Sequence, residues 1–259
     1  MVQVIKLLLY YFLSQLCVTC LAIAGYFGFY YLKFNSFPEQ LGLPLNLSLA
    51  ANIVSILFMV WLMLSKKYLT INKETLYPGK AIDIIIYSMI GITAMIWMNF
   101  LSDLVSLPDW FESTFKMMQN NIAGVITMAI IAPIFEEMFF RGAIEGHLLR
   151  KWKNPRYAIL VSALIFGIVH INPVQVLFAF LFGLILGEIY FRTKSLTAVI
   201  ILHFINNAAS VALMILCPEA DSLTQLLGFD NMAILSSISL IAFVLLLRVF
   251  INRYPKKYI

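Results

Sequence analysis

The sequence IAGVITMAIIAPIFEEMFFR, residues 122–141, decides the fold because it places charged residues inside a long apolar run. Glu136, Glu137 and Arg141 are the charged residues of this stretch. An ionised side chain at bilayer depth costs roughly 2.5–3.5 kcal/mol, so membrane helices keep such groups where they are paired and functional. Glu137 and Arg141 are predicted to pair across one helical turn, with Glu136 free to point elsewhere. The alternative is a helix end with three ordinary interfacial charges.

The composition indicates a helical membrane protein. Of the 259 residues, 62% are hydrophobic and 12% are charged, and the mean hydropathy is +0.91. Soluble domains average about 45–50% apolar and about 25% charged residues. The net charge is +5, but the basic residues lie between apolar runs, where they act as topology signals. We therefore predict an all-α polytopic membrane protein, a single integral membrane domain over residues 1–259, with no nucleic-acid partner.

Eight apolar runs are candidate membrane spans, since a bilayer core of about 30 Å takes about 20 helical residues. The first is interpreted as a retained helix, because it lacks the small-residue cleavage pattern of a signal peptide. Between the third and fourth spans, residues 108–120 are predicted to form either an interfacial helix or a plain loop. The predicted spans are 7–32, 47–65, 81–102, 122–149, 157–171, 174–191, 196–216 and 232–250.

Basic residues concentrate in alternate loops. The positive-inside rule then predicts a multi-pass protein of the cell membrane with both termini in the cytoplasm. The basic loops carry Lys66, Lys67, Lys73, Lys80, Arg150, Lys151, Lys153, Arg156, Arg192, Lys194, Arg253, Lys256 and Lys257. The other loops carry Lys33 and Lys116 together with the acidic residues Glu39, Asp103, Asp109, Glu112, Glu219, Asp221 and Asp230.

Two further spans carry polar residues four positions apart on one helical face. Phe166 and His170 lie in the fifth span, where Gly167 allows close approach of a neighbouring backbone. His203 and Asn207 lie in the seventh span. Each histidine alone is as often a hydrogen-bonded core residue as a functional one. Because polar groups in lipid must satisfy one another, we predict that they converge with the charges of the fourth span in one pocket.

The predicted depth of these residues in the membrane supports the convergence of His203 with Glu136. Glu136 lies about 21 Å from the outer start of its span at about 1.5 Å per residue. His203 lies at a similar level, whereas His170 would sit too high unless the fifth span begins as a helix below the membrane. Pro173 is then predicted to end that helix inside the bilayer.

Three motifs in this order resemble one protein family. They are E-E-x-x-x-R at 136–141, F-x-x-x-H at 166–170 and H-x-x-x-N at 203–207. The combination is similar to the CPBP family of intramembrane proteases, named for CAAX prenyl proteases and bacteriocin-processing proteins and also called the Abi family. The resemblance covers roughly residues 120–215. It implies about eight transmembrane helices around a polar intramembrane cavity that opens toward the cytoplasm and laterally toward lipid.

The resemblance also implies hydrolysis of a peptide bond in a membrane-embedded or membrane-associated protein or peptide. Glu136 would activate a water molecule, and His170 would help to hold it. His203 and Asn207 would stabilise the oxyanion of the tetrahedral intermediate. The residues implied to support the site are Glu137, Arg141 and Phe166.

The same residue types satisfy the chemistry of amide hydrolysis, which needs a base for water, a proton donor for the leaving amine and oxyanion donors. No serine or cysteine has a comparable histidine partner, so no covalent nucleophile is expected. A metal-free mechanism is favoured, and zinc held by Glu136, His170 and His203 is the alternative. The cysteines, Cys17, Cys20 and Cys217, are predicted to be small packing residues, because no second pair or nearby histidine completes a metal site.

Two other function classes remain open at this stage. A non-catalytic membrane protein that binds a partner or confers bacteriocin immunity could keep the same fold. A proton-coupled transporter could also use intramembrane glutamate and histidine. Such a transporter usually has paired halves with broken helices, and the sequence has no detectable internal repeat.

Overall fold

The computed structural model describes residues 1–220 and 222–255, and all regular structure within them is helical. The predictions for Asp221, Lys256 and Lys257 lie outside these residues. The helices are α1 (Val2–Phe34), α2 (Leu45–Ser65), α3 (Lys73–Leu76), α4 (Ala81–Val105), α5 (Glu112–Gln119), α6 (Ile122–Lys151), α7 (Pro155–Ile168), α8 (Pro173–Thr193), α9 (Leu196–Leu216), α10 (Leu223–Leu227) and α11 (Phe229–Arg253).

Seven of the described helices are long and apolar enough to cross a membrane, namely α1, α2, α4, α6, α8, α9 and α11. The all-α, multi-pass prediction is therefore confirmed. The segment 108–120 contains the helix α5. Of the two predicted alternatives, a helix and a plain loop, the helix is therefore the one observed. Within α5, Lys116 Nζ donates a hydrogen bond of 2.5 Å to Glu112 Oε1.

The predicted fifth span, 157–171, corresponds to the short helix α7. Helix α7 has 14 residues, which at about 1.5 Å each cover about 21 Å of a core of about 30 Å. It ends at Ile168, and Ile171 has a left-handed backbone with φ of 62°. Pro173, which was predicted to end this helix, instead begins α8, whereas α7 ends before it at Ile168. A proline also disfavours helical backbone in the residue before it, which is Asn172.

Helix α6 alternates between α- and π-helical turns. The π-helical stretches are Thr127–Ile131 and Met138–Glu145. In the first, the N–H of Ala132 donates to the carbonyl of Thr127, five residues back. The next residue, Pro133, has no N–H, so the carbonyl of Met128 lacks the corresponding donor. Such π turns are frequent at functional sites, and here they flank the two glutamates.

Helices α7 and α8 pack along one another, and both contact α6. A Cβ on Gly167 would lie 2.8 Å from the carbonyl oxygen of Val176. The close backbone approach predicted at this glycine is thus confirmed. Phe166 and Phe182 are buried between these helices, and their rings face the second half of α6 and α9. This packing holds the polar side chains of α6 and α9 against each other.

The prediction that the cysteines are packing residues is wrong for Cys17 and Cys20. Both side chains are exposed on α1, and Cys217 is partly buried. The reason lies in α1 itself, which contacts the rest of the protein along a narrow stripe. Ser14 lies on this stripe, and its hydroxyl is 2.9 Å from that of Ser55 on α2.

Candidate active site

The carboxylate of Glu137 is the centre of a buried polar cluster. Its side chain is fully buried, and its Oε1 accepts a hydrogen bond of 2.8 Å from Arg141 Nη1. The same oxygen lies 2.7 Å from His203 Nδ1. The pairing of Glu137 with Arg141 follows from their spacing on one helix, and it is confirmed. The contact with His203 joins α6 to α9.

His203 lies between two carboxylates. Since a carboxylate only accepts hydrogen bonds, the contact with Glu137 places a proton on Nδ1 and turns Nε2 toward the other side. There, Nε2 lies 3.8 Å from Glu136 Oε2. The ring is 4% exposed and is held edge-on by Phe166 and Phe182, with centroids 5.9 Å and 5.5 Å away. The imidazole therefore has one fixed orientation.

Glu136 and Glu137 are adjacent in sequence but differ in environment. The side chain of Glu136 is 23% exposed, whereas that of Glu137 is fully buried. Glu136 also lies on the side of His203 away from Arg141. Its separation of 3.8 Å from Nε2 is too long for a direct hydrogen bond, which requires about 2.7–3.2 Å. A water molecule can reach Glu136 and can contact both groups.

Arg141 connects the cluster to Phe166 and to α8. Its guanidinium Cζ lies 4.3 Å from the centre of the Phe166 ring, a cation–π contact. Its Nη2 lies 3.4 Å from the carbonyl oxygen of Gly183 on α8. A buried guanidinium needs such partners because an unpaired charge in a membrane is costly. Phe166 thus contacts both Arg141 and His203.

Asn207 satisfies the carbonyl that Pro133 leaves without a donor. Its Nδ2 donates a hydrogen bond of 3.0 Å to Met128 O. Its Oδ1 accepts a hydrogen bond of 3.1 Å from Asn206 Nδ2. Asn206 is 6% exposed, and its own Oδ1 has no partner among the described residues. Asn206 lies outside the three sequence motifs, although an asparagine adjacent to Asn207 in an apolar helix was a visible signal.

His170 lies at the edge of this cluster rather than inside it. It follows the end of α7, and its Nδ1 lies 2.7 Å from the carbonyl oxygen of Phe166. Its ring packs edge-on against Phe166 with centroids 4.9 Å apart. His170 and His203 therefore both contact the ring of Phe166, which connects them indirectly. Within the described chain, no direct hydrogen bond joins it to Glu136.

The residues named as alternative zinc ligands are not grouped as a metal site in this arrangement. The Nδ1 contacts of His203 with Glu137 and of His170 with a backbone carbonyl leave Nε2 of each ring open. In the described part of the chain, no group of three or more histidine, cysteine, aspartate or glutamate side chains is placed to hold a metal ion.

Glu145 is a further intramembrane carboxylate that the sequence analysis did not single out. It is fully buried, and neither of its carboxylate oxygens has a hydrogen-bond partner within the usual distance and angle among the residues described. It lies four residues after Arg141 in the second π-helical stretch. A Cβ on Gly187 would lie 2.9 Å from its Oε2, so that glycine leaves room for the carboxylate. In the sequence, the signal for this residue was that Glu145 lies four residues after Arg141.

The polar cluster lies within a segment of the chain that is similar to known proteins. Residues 118–209 match the family described as type II CAAX prenyl endopeptidase Rce1-like. The putative membrane peptidase YdiL of Bacillus subtilis (strain 168) is 37% identical over 101 residues, which are 39% of this chain and 41% of that protein. The membrane-embedded CAAX protease MroQ of Staphylococcus aureus (strain USA300) is 35% identical over 101 residues, 37% of this chain and 41% of that protein.

A third relative is a UPF0177 protein in the abiGi 5′ region of Lactococcus lactis subsp. cremoris. It is 38% identical over 84 residues, 32% of this chain and 34% of that protein. The matches thus span about two fifths or less of the length of these relatives. No solved structure matches the chain significantly.

All three sequence motifs fall within the matched segment, whereas α1, α2 and α11 lie outside it. The clustered residues Glu136, Glu137, Arg141 and His203 come from two of these motifs, and Phe166 from the third. Residues 118–209 of this multi-pass membrane protein are therefore similar to the Rce1-like type II CAAX prenyl endopeptidases, as the three motifs indicated.

Proposed function

We propose that this chain is an intramembrane endopeptidase that hydrolyses a peptide bond in a membrane-embedded or membrane-associated protein or peptide. The observation that carries the proposal is the position of His203. Its buried imidazole lies between two glutamates, with Nδ1 2.7 Å from Glu137 and Nε2 3.8 Å from Glu136. A fixed imidazole beside an accessible carboxylate is an arrangement suited to general acid–base chemistry. The similarity to membrane peptidases supports the same reaction class.

In this proposal, Glu136 is the general base. It takes a proton from a water molecule while the water oxygen attacks the carbonyl carbon of the scissile bond. The carbonyl oxygen becomes an oxyanion, which the side chains of His203 and Asn207 stabilise. The proton on Glu136 then passes to the leaving nitrogen as the C–N bond breaks. Glu137 supports this sequence by fixing the ring of His203.

His170 and Arg141 have positioning roles in the proposal. His170 packs on Phe166, which contacts the ring of His203. Arg141 neutralises Glu137, so that a full negative charge can stay buried beside the imidazole. We propose a metal-free reaction. Loss of cleavage with a chelator and its recovery with added zinc would instead support zinc dependence.

We also propose that the protein lies in the cell membrane with both termini in the cytoplasm, because the basic residues concentrate in alternate loops. Reporters fused after Lys67 and Lys153 are expected to show a cytoplasmic location. A reporter fused near Asp221 is expected to show an external one. A cytoplasmic signal near Asp221 would contradict this orientation.

The substrate can be sought by comparing the membrane peptides of cells that carry the wild type or Glu136→Ala. We expect one or a few membrane-associated proteins to lose a cleavage product in the Glu136→Ala cells and to accumulate uncleaved. Glu112→Ala serves as the control, since it removes an exposed carboxylate whose ion pair contributes little. Identical peptide sets in all three strains would favour a non-catalytic binding role.

Asn207→Ala is expected to lower turnover by roughly 10²–10³, the usual effect of losing one oxyanion donor. It also leaves the carbonyl of Met128 without a partner, which costs about 1–3 kcal/mol of stability. Turnover of a purified substrate and the free energy of unfolding in mixed micelles measure the two effects.

Pro133→Ala separates these effects, because alanine restores an N–H that can donate to the carbonyl of Met128. The double variant Pro133→Ala/Asn207→Ala should regain stability while turnover stays low. Recovery of turnover together with stability would show that Asn207 acts only through the backbone of α6.

A further inference from the structure

A cavity of about 1070 Å³ lies at the end of α6 that is remote from Glu136 and Glu137. Its walls come from the loop before α3, the segment that joins α6 to α7, and the last turn of α8. Trp152, Tyr190 and Phe191 give it aromatic surfaces. The cavity is separate from the His203 cluster, and the proposed peptidase reaction does not use it.

The charges that line this cavity are nearly all positive. The cations are Arg150, Lys151, Lys153, Arg156 and Lys194, against the single carboxylate of Glu74. Within the described residues, none of these cations has a carboxylate oxygen within salt-bridge distance. Three other arginines do, since Arg141, Arg192 and Arg253 pair with Glu137, Glu188 and Asp83 respectively. The cavity therefore has an excess of unpaired positive charge.

Two hydrogen-bond donors converge on the floor of the cavity at Gly146. A Cβ on this glycine would lie 3.3 Å from Arg150 Nη1 and 3.3 Å from Tyr190 Oη. The carbonyl oxygen of Arg141 lies at the same distance, so no ligand fits at this position itself, but the guanidinium and the hydroxyl lie near each other in the cavity wall. A tetrahedral oxyanion can accept hydrogen bonds from both groups at once.

Lys194 supplies a partly buried cation beside these donors. Its backbone is left-handed, with φ of 57°, and its N–H donates to the carbonyl of Tyr190 at 2.7 Å. Its Nζ lies 5.0 Å from the centre of the Phe191 ring. Burial lowers the pKa of Lys194, because desolvation disfavours the charged form, and the carboxylates of Glu145 and Glu74 oppose this shift. A bound anion would add to the effect of these carboxylates.

We propose that this cavity binds a phosphate-bearing anion, held by Arg150, Lys194 and the hydroxyl of Tyr190. Its position at the ends of α6 and α8 favours the headgroup of an anionic phospholipid, since basic pockets between membrane helices bind such headgroups. Free phosphate offers the same oxyanion chemistry. The site needs no assumption about the peptidase reaction.

The test is thermal unfolding of the purified protein in nanodiscs of phosphatidylcholine with or without phosphatidylglycerol. Phosphatidylglycerol should raise the Tm of the wild type. Arg150→Gln/Lys194→Gln should lose more than half of this increase. The matched control is Lys66→Gln/Lys67→Gln, which removes two exposed cations outside the cavity and should keep the increase. Should the double variant fail to fold, Arg150→Gln alone gives the same comparison.

A second arm uses detergent without anionic lipid and compares inorganic phosphate with chloride at equal ionic strength. Stabilisation of the wild type, but not of Arg150→Gln/Lys194→Gln, would identify free phosphate as a ligand of the same site. An equal loss of the lipid effect in the control variant would overturn the proposal in favour of general charge attraction. No effect of either phosphatidylglycerol or phosphate on the wild type would overturn it as well.

Discussion

Glu136→Gln should lower peptide hydrolysis by roughly 10²–10⁴, the range typical of a lost general base. The amide keeps the shape of the carboxylate but cannot take a proton from water. Folding should be preserved, because Glu136 is partly exposed and accepts no hydrogen bond within the described part of the chain. The free energy of unfolding should therefore stay within about 1 kcal/mol of the wild type. Single-turnover cleavage by purified protein measures the chemical step directly.

Glu112→Gln is the matched control for this change, because the same substitution there affects an exposed pair with Lys116 far from His203 in sequence. Its cleavage rate should equal that of the wild type. Intact cleavage by Glu136→Gln would contradict the peptidase mechanism. A loss of cleavage that accompanied unfolding would instead assign Glu136 a structural role.

Glu137→Gln should reduce both stability and activity. It removes the charge that pairs with Arg141, and breaking a fully buried ion pair costs about 3–5 kcal/mol. It also removes the ionised acceptor that fixes Nδ1 of His203. The yield of folded protein and the free energy of unfolding in mixed micelles should fall together with cleavage.

The double variant Glu137→Gln/Arg141→Met distinguishes a stranded charge from a packing defect. When both charges are removed, the desolvation cost disappears, and buried pairs replaced in this way often regain stability. We therefore expect the double variant to be more stable than either Glu137→Gln or Arg141→Met. If Glu137→Gln alone were as stable as the wild type, the pair would not be a structural support.

The sequence predicted the contacts that depend on a single helix. Glu137 and Arg141 pair because four residues make about one turn, and this needs no knowledge of the remaining chain. The close approach at Gly167 was also predictable, since only a residue without a side chain allows it. The span boundaries followed from apolar length, and most agree with the helices within a few residues.

Contacts between helices could not be predicted in this way. Which glutamate accepts from His203 depends on the rotation of α9 against α6, and two π-helical stretches alter that rotation. The partner of Asn207 is a backbone carbonyl that is free only because Pro133 follows a π turn. The end of α7 at Ile168 likewise depended on the backbone between His170 and Pro173.

Helix α7 has a consequence for the lipids around it. Its outward stripe consists of Tyr157, Leu160, Leu164 and Ile168, so acyl chains border it directly. Its length falls about 9 Å short of an average hydrocarbon core. Lipids beside a short apolar surface thin to match it, at a cost of a fraction of a kcal/mol per Å. Shorter acyl chains would therefore gather beside α7.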